Sequence, residues 1–285
     1  MYDTIVHILI KEVFPMIAKI LDQDIYYTTE GEGLPLIVLH GLYIDSISMY
    51  RALENTNIQL SGFKRIYIDL PGMGQSPRHR LANNSDTMLD LVSRLITFLI
   101  SDHPFIIMGY SYGGYLAQGI ALKFKNQILG EILVCPVVIP QPDRRQKASI
   151  TNREIDAKFL SSIDETKQQE LLDTMVVINN RTYNRSESDF SRAFALADSA
   201  FLHELYSNGY PSEYIESNNS YHPHKTLIFL GFQDTSVGYK DMLARLDLYP
   251  KATVNLLTNA SHSFFLEQPT QFEYIMNSWL SQYMM

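Results

Sequence analysis

The amino-acid sequence predicts an α/β protein in which helices flank a mostly parallel β-sheet. Six short apolar runs have the length and composition of buried strands, namely residues 36–39, 65–69, 105–108, 128–135, 226–230 and 253–257. Longer segments with helical spacing lie between them, namely residues 87–99, 112–125, 240–248 and 271–283. Because strands that alternate with helices usually pair in parallel, this order predicts both the sheet and its helical layers.

Two β-rich runs, residues 17–22 and 25–29, precede the alternating region and predict a β-hairpin. Residues 1–16 form an N-terminal extension ahead of this hairpin. The extension is apolar in patches, but no basic segment precedes the apolar patch and no small-residue cleavage site follows it. We therefore expect no signal peptide.

The alternation of strands and helices stops between residues 141 and 224, where charged and amphipathic stretches replace the apolar runs. We interpret this segment as an inserted helical region. Ser162 with Glu165, and Ser186 with Asp189, have the spacing in which a hydroxyl caps a helix start and a carboxylate answers it. They predict at least two helices in the insertion.

The bulk composition restricts the possible partners. The chain of 285 residues has 31 acidic and 23 basic residues, a net charge of -8 and no polybasic run, which disfavours nucleic acid as a partner. No uncharged apolar run reaches the length of about 18 residues that a membrane-spanning helix needs. Cys135 is the only cysteine, so an intramolecular disulfide and a thiolate metal cluster are excluded. We therefore expect a cytoplasmic protein without a membrane span.

A glycine-rich motif, Gly-Tyr-Ser-Tyr-Gly-Gly at residues 109–114, follows the third apolar run and opens a helical segment. A serine at such a sharp turn adopts strained backbone angles, and Gly109 and Gly113 let the strand and the helix approach closely. The motif alone also arises by chance, so its place near the centre of the predicted sheet supports the interpretation. Ser111 is thus a candidate nucleophile, and the N–H of Tyr112 at the helix start a candidate oxyanion donor.

Two other loops follow predicted strands. In His40-Gly41-Leu42, the glycine lets the N–H of Leu42 turn toward the same crevice as a second oxyanion donor, and His40 is expected to hold this loop by hydrogen bonds. The glycines of the loop at residues 69–76 are interpreted as a tight turn, because no lysine follows them as in a Walker-type phosphate loop.

Asp234 and His262 each stand a few residues beyond the end of a predicted strand. The carboxyl ends of parallel strands line one crevice, so Ser111, Asp234 and His262 are expected to meet there. Serine becomes a good nucleophile when an imidazole takes its proton and a carboxylate orients that imidazole. The three residues are therefore predicted as nucleophile, orienting acid and base.

These motifs resemble the α/β-hydrolase family over roughly residues 17 to 283. The resemblance rests on His40-Gly41, the loop Asp-Leu-Pro-Gly-Met-Gly-Gln-Ser at 69–76, the serine turn, Gly-Phe-Gln-Asp ending at Asp234, and His262 followed by Glu-Gln-Pro at 267–269. It implies an eight-stranded sheet whose second strand is antiparallel, with a helical cap inserted after the sixth strand.

On this resemblance the hydrolase core comprises residues 17–140 and 225–285, and the helical cap comprises residues 141–224 and roofs the active site. Phe190, Phe194, Ala197 and Phe201 have helical spacing within the cap and are interpreted as packing residues more than as an acyl pocket.

Departures from particular relatives restrict the activity. Dehalogenases and epoxide hydrolases of this fold carry an aspartate where this chain has Ser111. Some relatives carry the acid just after strand six, but Asp143 is the first acid beyond that strand here, which favours Asp234. Proline iminopeptidases are similar in size and cap but differ in the loop at residues 69–76, so peptidase activity ranks below esterase activity.

The sequence thus predicts a serine hydrolase, of the carboxylesterase kind, that cleaves an ester-like or amide bond of a small apolar molecule through an acyl-enzyme intermediate. A cofactor-free haloperoxidase-like activity, an acyltransferase activity and a non-catalytic ligand sensor use the same residues and stay open. Apart from the triad we find no cluster with ligand spacing, so neither a metal nor an organic cofactor is expected. Substrate and oligomeric state are not predicted.

Overall fold

The computed structural model describes residues 15–218 and 220–284. Its strands are β1 (Met16–Ile20), β2 (Gln23–Glu30), β3 (Leu34–Leu39), β4 (Phe63–Ile68), β5 (Phe105–Tyr110), β6 (Ile128–Val134), β7 (Glu154–Ile155), β8 (Val177–Ile178), β9 (Lys225–Gly231) and β10 (Ala252–Leu257). Its α-helices are α1 (Ser46–Glu54), α2 (Ser85–Ile100), α3 (Tyr112–Lys123), α4 (Ala157–Leu160), α5 (Glu165–Thr174), α6 (Asn180–Ser186), α7 (Arg192–Leu196), α8 (Ser199–Ser207), α9 (Glu213–Ser217), α10 (Lys240–Leu243), α11 (Phe264–Glu267) and α12 (Pro269–Leu280).

Eight of these strands form one sheet in the order β1-β2-β4-β3-β5-β6-β9-β10. The strand β2 pairs antiparallel with β1 and β4, and every other pairing in this sheet is parallel. The predicted eight-stranded, mostly parallel sheet with an antiparallel second strand is therefore confirmed. The two remaining strands, β7 and β8, make a separate small sheet within the insertion.

The predicted hairpin is formed by β1 and β2, but its turn lies two residues earlier than the sequence suggested. Ile20 pairs with Gln23, so Leu21 and Asp22 are the turn residues. Both have positive φ, 48° and 65°, a conformation in which aspartate is tolerated better than most residues. The predicted extension, residues 1–16, lies outside the described residues up to residue 14, and Met16 already belongs to β1.

The helices of the core agree with the predicted ones in place, with three differences. The first is the short α11, Phe264–Glu267, which the sequence pattern did not predict. Residues 46–54 form α1, which the sequence pattern did not predict; Asp45 caps it by accepting the N–H of Ser48. The predicted helix at residues 240–248 consists of the short α10 followed by a 3₁₀ turn, Leu246–Leu248.

The two predicted helix starts in the insertion are wrong in their capping residues. The cap of α5 is Asp164 rather than Ser162, and α6 begins after Asn179, which forms a reciprocal capping box with Thr182. Ser186 lies at the end of α6, where the helix widens into a π-turn, Glu187–Ser191. Serine followed three residues later by an acid is also compatible with a helix interior, so the spacing alone misplaces the start.

The insertion packs against loops that follow the carboxyl ends of β3 and β4. The N–H of Asp198 donates to the carbonyl of Gly72 over 2.8 Å, and Phe201 lies against the same glycine. Arg192 forms an ion pair with the buried Asp45. Within the apolar stripe of the insertion, Phe190 and Phe201 are buried and Phe194 is exposed, as expected for residues of which most serve packing.

An aromatic cluster fixes the carboxyl-terminal helices beneath β9. The ring of Phe229 lies edge-on to Phe264 at 5.3 Å and tilted against Phe272 at 4.9 Å between centroids. Such contacts add to the burial of large apolar surfaces and hold α11 and α12 in place. The cluster thereby anchors the end of the loop that carries His262. In the described ranges, no helix has the length and apolarity that crossing a membrane requires.

Candidate active site

The serine turn has the strained geometry that its sequence indicates. Ser111 has φ 54° and ψ -116°, between the end of β5 and the start of α3. A Cβ atom at Gly109 would lie 2.2 Å from the carbonyl oxygen of Gly113, and one at Gly113 would lie 2.4 Å from that of Leu39. Only glycine fits at both positions, because each of these neighbours is backbone.

We expect Gly109→Ala to destabilise the fold, because the added methyl group meets a backbone oxygen that cannot move aside. The cost should be about 3 kcal/mol or more in the free energy of unfolding, measured by urea denaturation. Gly62→Ala is the control: no atom lies within 4 Å of a Cβ there, although φ is +87°. That control should cost only the roughly 1–2 kcal/mol of backbone strain, and an equal loss in both variants would contradict the steric account.

Ser111, His262 and Asp234 form one hydrogen-bonded chain. The Nε2 atom of His262 lies 3.0 Å from the Oγ of Ser111, and its Nδ1 atom lies 2.7 Å from the Oδ2 of Asp234. Because a carboxylate accepts and cannot donate, Nδ1 carries the proton and Nε2 is free to accept from the serine hydroxyl. The structure thus brings together the three side chains that the sequence singled out, in the tautomer that base catalysis requires.

The carboxylate of Asp234 is fully buried and fixed on both oxygens. The N–H groups of Ser236 and Val237 donate to Oδ1 over 2.8 and 2.9 Å, which leaves Oδ2 for His262. Gly231, at the end of β9, has no room for a side chain, since a Cβ there would lie 2.2 Å from the carbonyl of Ser261. The loops after β9 and β10 are therefore pressed together, and this contact aligns the carboxylate with the imidazole.

Two further side chains hold the loop that carries His262. The ring of Tyr110 packs on the imidazole with 5.1 Å between centroids, and its hydroxyl donates to the carbonyl of His262 over 3.2 Å. Glu267 accepts the N–H of Ser261 on one oxygen over 2.6 Å. Its other oxygen accepts the N–H of Val176, in the insertion, over 2.5 Å. Burial raises the pKa of Glu267, and these backbone donors oppose that shift.

We expect Glu267→Gln to weaken both stability and turnover, because an amide replaces one of two accepting oxygens with a donor that faces a backbone N–H. The loss in unfolding free energy should be about 1–3 kcal/mol. Turnover of an ester should fall about 10-fold, since a less firmly held imidazole spends less time aligned. Glu165→Gln, an exposed position at the start of α5, is the control and should change neither quantity. Unchanged turnover in Glu267→Gln would show that the carboxylate does not position the loop.

His40 connects the loops after β3 and β4. Burial lowers the pKa of His40, so its imidazole is neutral. The N–H of Leu70 donates to Nε2 over 3.0 Å, and Nδ1 lies 2.7 Å from the carbonyl of Gly41, which fits a neutral ring protonated on Nδ1. Asp69 also joins the loops after β3 and β4. Its carboxylate accepts the N–H of Ser46 over 2.8 Å and the N–H of Gln75 over 2.9 Å. These contacts agree with the holding role that the sequence suggested for His40.

The two backbone groups singled out as oxyanion donors belong to the start of α3 and to the loop after β3. Tyr112 is the first residue of α3, where a helix offers no acceptor for its own N–H groups. Leu42 follows Gly41, at which a Cβ would lie 3.0 Å from the Cβ of Ser111. The loop after β3 therefore comes close to the serine side chain.

Cys135 lies directly behind this chain of residues. Its thiol is buried, with Sγ 3.9 Å from the carbonyl of Ser261, and burial raises its pKa well above the usual range. Cys135, Asp234 and His262 offer potential metal-ligand atoms within 4.8 Å of one another. A protonated thiol is a poor metal ligand, and the imidazole of His262 and the carboxylate of Asp234 are already hydrogen-bonded to each other.

Asp143, the first acid beyond strand six and the alternative to Asp234, is exposed.

Sequence reasoning did not identify Tyr110, Cys135 or Glu267 as neighbours of the histidine. Tyr110 belongs to the serine motif at residues 109–114, and Glu267 belongs to the Glu-Gln-Pro motif that follows His262. Their nearness to functional residues was therefore visible in the sequence. The buried carboxylate of Glu267 in an otherwise apolar helix, Phe-Phe-Leu-Glu, was the clearest indication that it has a specific partner.

Comparison with known proteins agrees with this architecture. A model of the alpha/beta hydrolase family matches residues 36–273. A solved alpha/beta superfamily hydrolase from Oenococcus oeni PSU-1 has a TM-score of 0.83 at 29% identity, covering 90% of this chain and 95% of that one.

Two curated proteins show how far similarity in sequence extends. A pimeloyl-[acyl-carrier protein] methyl ester esterase from Shewanella oneidensis is 32% identical over 111 residues, which are 39% of this chain and 38% of that protein. The AB hydrolase superfamily protein YclE of Bacillus subtilis is 23% identical over 91% of this chain and 96% of its own length. The match to the esterase spans less than half of either protein, whereas the family model covers most of this sequence. The chain therefore belongs to the alpha/beta hydrolase family.

Proposed function

We propose that this chain is a serine hydrolase that cleaves carboxylic esters through an acyl-enzyme intermediate on Ser111. The observation that carries the proposal is the continuous hydrogen-bonded chain from the Ser111 hydroxyl through His262 to Asp234, with contacts of 3.0 and 2.7 Å. This arrangement supplies a nucleophile, a base and an orienting carboxylate in one place. The partial similarity to a protein named as a methyl ester esterase favours an ester as the substrate.

In the first half of the reaction, His262 takes the proton of Ser111 as the serine oxygen attacks the ester carbonyl. The imidazolium that forms is stabilised by Asp234 and then gives its proton to the leaving alcohol. In the second half, His262 takes a proton from water as the water oxygen attacks the acyl carbonyl. It then gives that proton to the Ser111 oxygen as the bond to the acyl group breaks and the carboxylic acid leaves.

The negative charge that develops on the carbonyl oxygen needs hydrogen-bond donors that point at that oxygen. The backbone N–H groups of Leu42 and Tyr112 are proposed to provide them. The dipole of α3, whose first turn contains Tyr112, adds to this stabilisation. In comparable sites each such donor is worth about 100- to 1000-fold in rate.

We propose that residues 141–224 act as a cap that shapes the substrate pocket. A cavity of about 670 Å³ lies between Tyr43, next to the proposed oxyanion loop, and His203 and Tyr206 of α8. Pro142, Asp143 and Ser207 complete the lining, much of which is apolar surface, whereas Ser111, Asp234 and His262 do not line this cavity. Its volume falls in the range of pockets that hold small molecules, which supports a small substrate.

The substrate class can be tested with a panel of p-nitrophenyl esters of graded acyl length, together with L-proline p-nitroanilide. We expect steady-state hydrolysis of short- and medium-chain esters and a rate at least 100-fold lower on the anilide. A faster reaction on the anilide would favour a peptidase. Binding of esters without turnover would contradict the proposal and favour a ligand sensor.

A further inference from the structure

A second cluster of buried polar residues lies away from Ser111, toward the amino ends of the strands. Glu131 is a fully buried residue of β6, and His222 and His224 stand just ahead of β9. The Oε2 atom of Glu131 lies 3.0 Å from Nδ1 of His222 and 3.1 Å from Nε2 of His224. Pro223 separates His222 from His224, and the centroids of the two imidazole rings lie 5.6 Å apart.

Two polar atoms of this cluster have no hydrogen-bond partner among the described residues. Within the described ranges, four buried side-chain nitrogen or oxygen atoms lack a hydrogen-bond partner, and two of them are Oε1 of Glu131 and Nδ1 of His224. Oε2 of the carboxylate faces both imidazoles, whereas Oε1 has lone pairs that no described residue uses. Buried acceptors without partners are costly, and a bound cation is one way in which they are satisfied.

The spacing of the three side chains suits a transition-metal ion. Each residue offers a ligand atom, and these atoms lie within 4.8 Å of one another. Ligands bound to zinc at 2.0–2.2 Å lie about 3.3–3.6 Å apart in a tetrahedron. Oε2 of Glu131, Nδ1 of His222 and Nε2 of His224 are joined by hydrogen bonds of 3.0 and 3.1 Å, so an ion bound to these atoms replaces the two bridging protons and opens each separation by a few tenths of an ångström. Oε1 of Glu131, which has no hydrogen-bond partner in the described part of the chain, is free to act as a second carboxylate ligand. Two imidazoles and one carboxylate are also a usual ligand set for zinc.

From these contacts we propose that Glu131, His222 and His224 form a binding site for a divalent transition-metal ion, with zinc as the best fit. The stacking of Tyr249 on His222, with ring centroids 4.3 Å apart, holds one ligand in place. Tyr249 is held in turn by its hydroxyl, which donates to Gln118 over 3.1 Å. Such outer contacts keep metal ligands in their binding orientation.

The fourth ligand would come from solvent. His224 lines a surface cavity of about 390 Å³ whose other residues include Lys125, Lys225 and Lys251. These lysines oppose the approach of a cation but favour an anion. Zinc with one carboxylate and two neutral imidazoles keeps a net positive charge, so hydroxide or another small anion is the fourth ligand that suits this surrounding. The site therefore stabilises the fold where β6 and β9 begin, separately from the proposed ester chemistry.

The test is metal binding by tag-free protein. After treatment with a chelator and its removal, titration with zinc should give one ion per chain and raise the Tm. Cobalt(II) in its place should give the visible absorption bands of a tetrahedral site. His224→Ala and Glu131→Gln should weaken zinc binding at least 100-fold, more than loss of an outer-shell contact does.

Two controls separate this site from other sources of binding. His203→Ala removes an exposed histidine of α8, and His262→Ala removes the other histidine that lies in a group of potential ligands. Both should bind zinc as the parent protein does. The proposal is overturned if the parent protein gives neither one-to-one binding nor cobalt bands. It is equally overturned if His262→Ala alone abolishes binding. The measurements on the parent protein decide the matter even if the cluster variants fail to fold.

Discussion

Replacement of Ser111 by alanine is expected to lower the turnover of a p-nitrophenyl ester by about 10⁴- to 10⁶-fold. The reason is that the substituted chain has no hydroxyl to form the acyl-enzyme, while the donors of the oxyanion site still bind the carbonyl. The residual rate should reflect attack by water. Turnover measured at saturating ester shows the effect, and the melting temperature should change by only a few degrees.

The matched control for this variant is Ser281→Ala. Ser281 is exposed after α12, and its hydroxyl donates to the nearby carbonyl of Ser278. It should hydrolyse the ester at the rate of the parent protein. If Ser111→Ala kept more than about one tenth of that rate, another group would be the nucleophile and the proposed mechanism would be wrong.

Replacement of Asp234 by asparagine should lower turnover by about 10⁴-fold with little change in the Michaelis constant. An amide that accepts from Ser236 and Val237 with its oxygen turns its NH₂ group toward His262. The imidazole must then accept on Nδ1 and protonate Nε2, which prevents it from taking the serine proton. Steady-state kinetics on a p-nitrophenyl ester measure both constants.

Asp102→Asn is the control for charge alone, since Asp102 is exposed between α2 and β5. It should leave turnover unchanged. A loss of less than 10-fold in Asp234→Asn would show that the buried carboxylate does not set the tautomer.

The sheet, and the convergence of Ser111, Asp234 and His262 at its edge, could be predicted from the sequence because both depend on local signals, whereas the catalytic roles of the three residues stay a prediction. Buried strands are continuous apolar runs, and the residues after them stand at one edge of a parallel sheet whatever the intervening loops contain. Ser111, Asp234 and His262 each follow such a strand, so their meeting required only the order of the strands. The predicted turn at Gln23 was displaced because the register of a hairpin depends on backbone angles that the residue pattern does not fix.

The contacts that sequence reasoning missed join segments that are distant in the chain. Glu267 bonds Val176 in the insertion, and Glu131 meets His222 across 91 positions. Each partner separately looks like an isolated polar residue in an apolar element. The expectation of no metal site was made without this cluster in view, because Glu131 joins His222 and His224 only through the pairing of β6 with β9. A buried acid in a central strand was the available signal.

The most direct test of the central claim is covalent labelling with a fluorophosphonate, followed by mass spectrometry of the intact protein and of its peptides. Fluorophosphonates react with serine only when a neighbouring base activates it. The account predicts one adduct per chain, located on Ser111 and absent from His262→Ala. A labelled protein whose adduct lies on any other residue, or unlabelled Ser111 in a folded and pure sample, would contradict it.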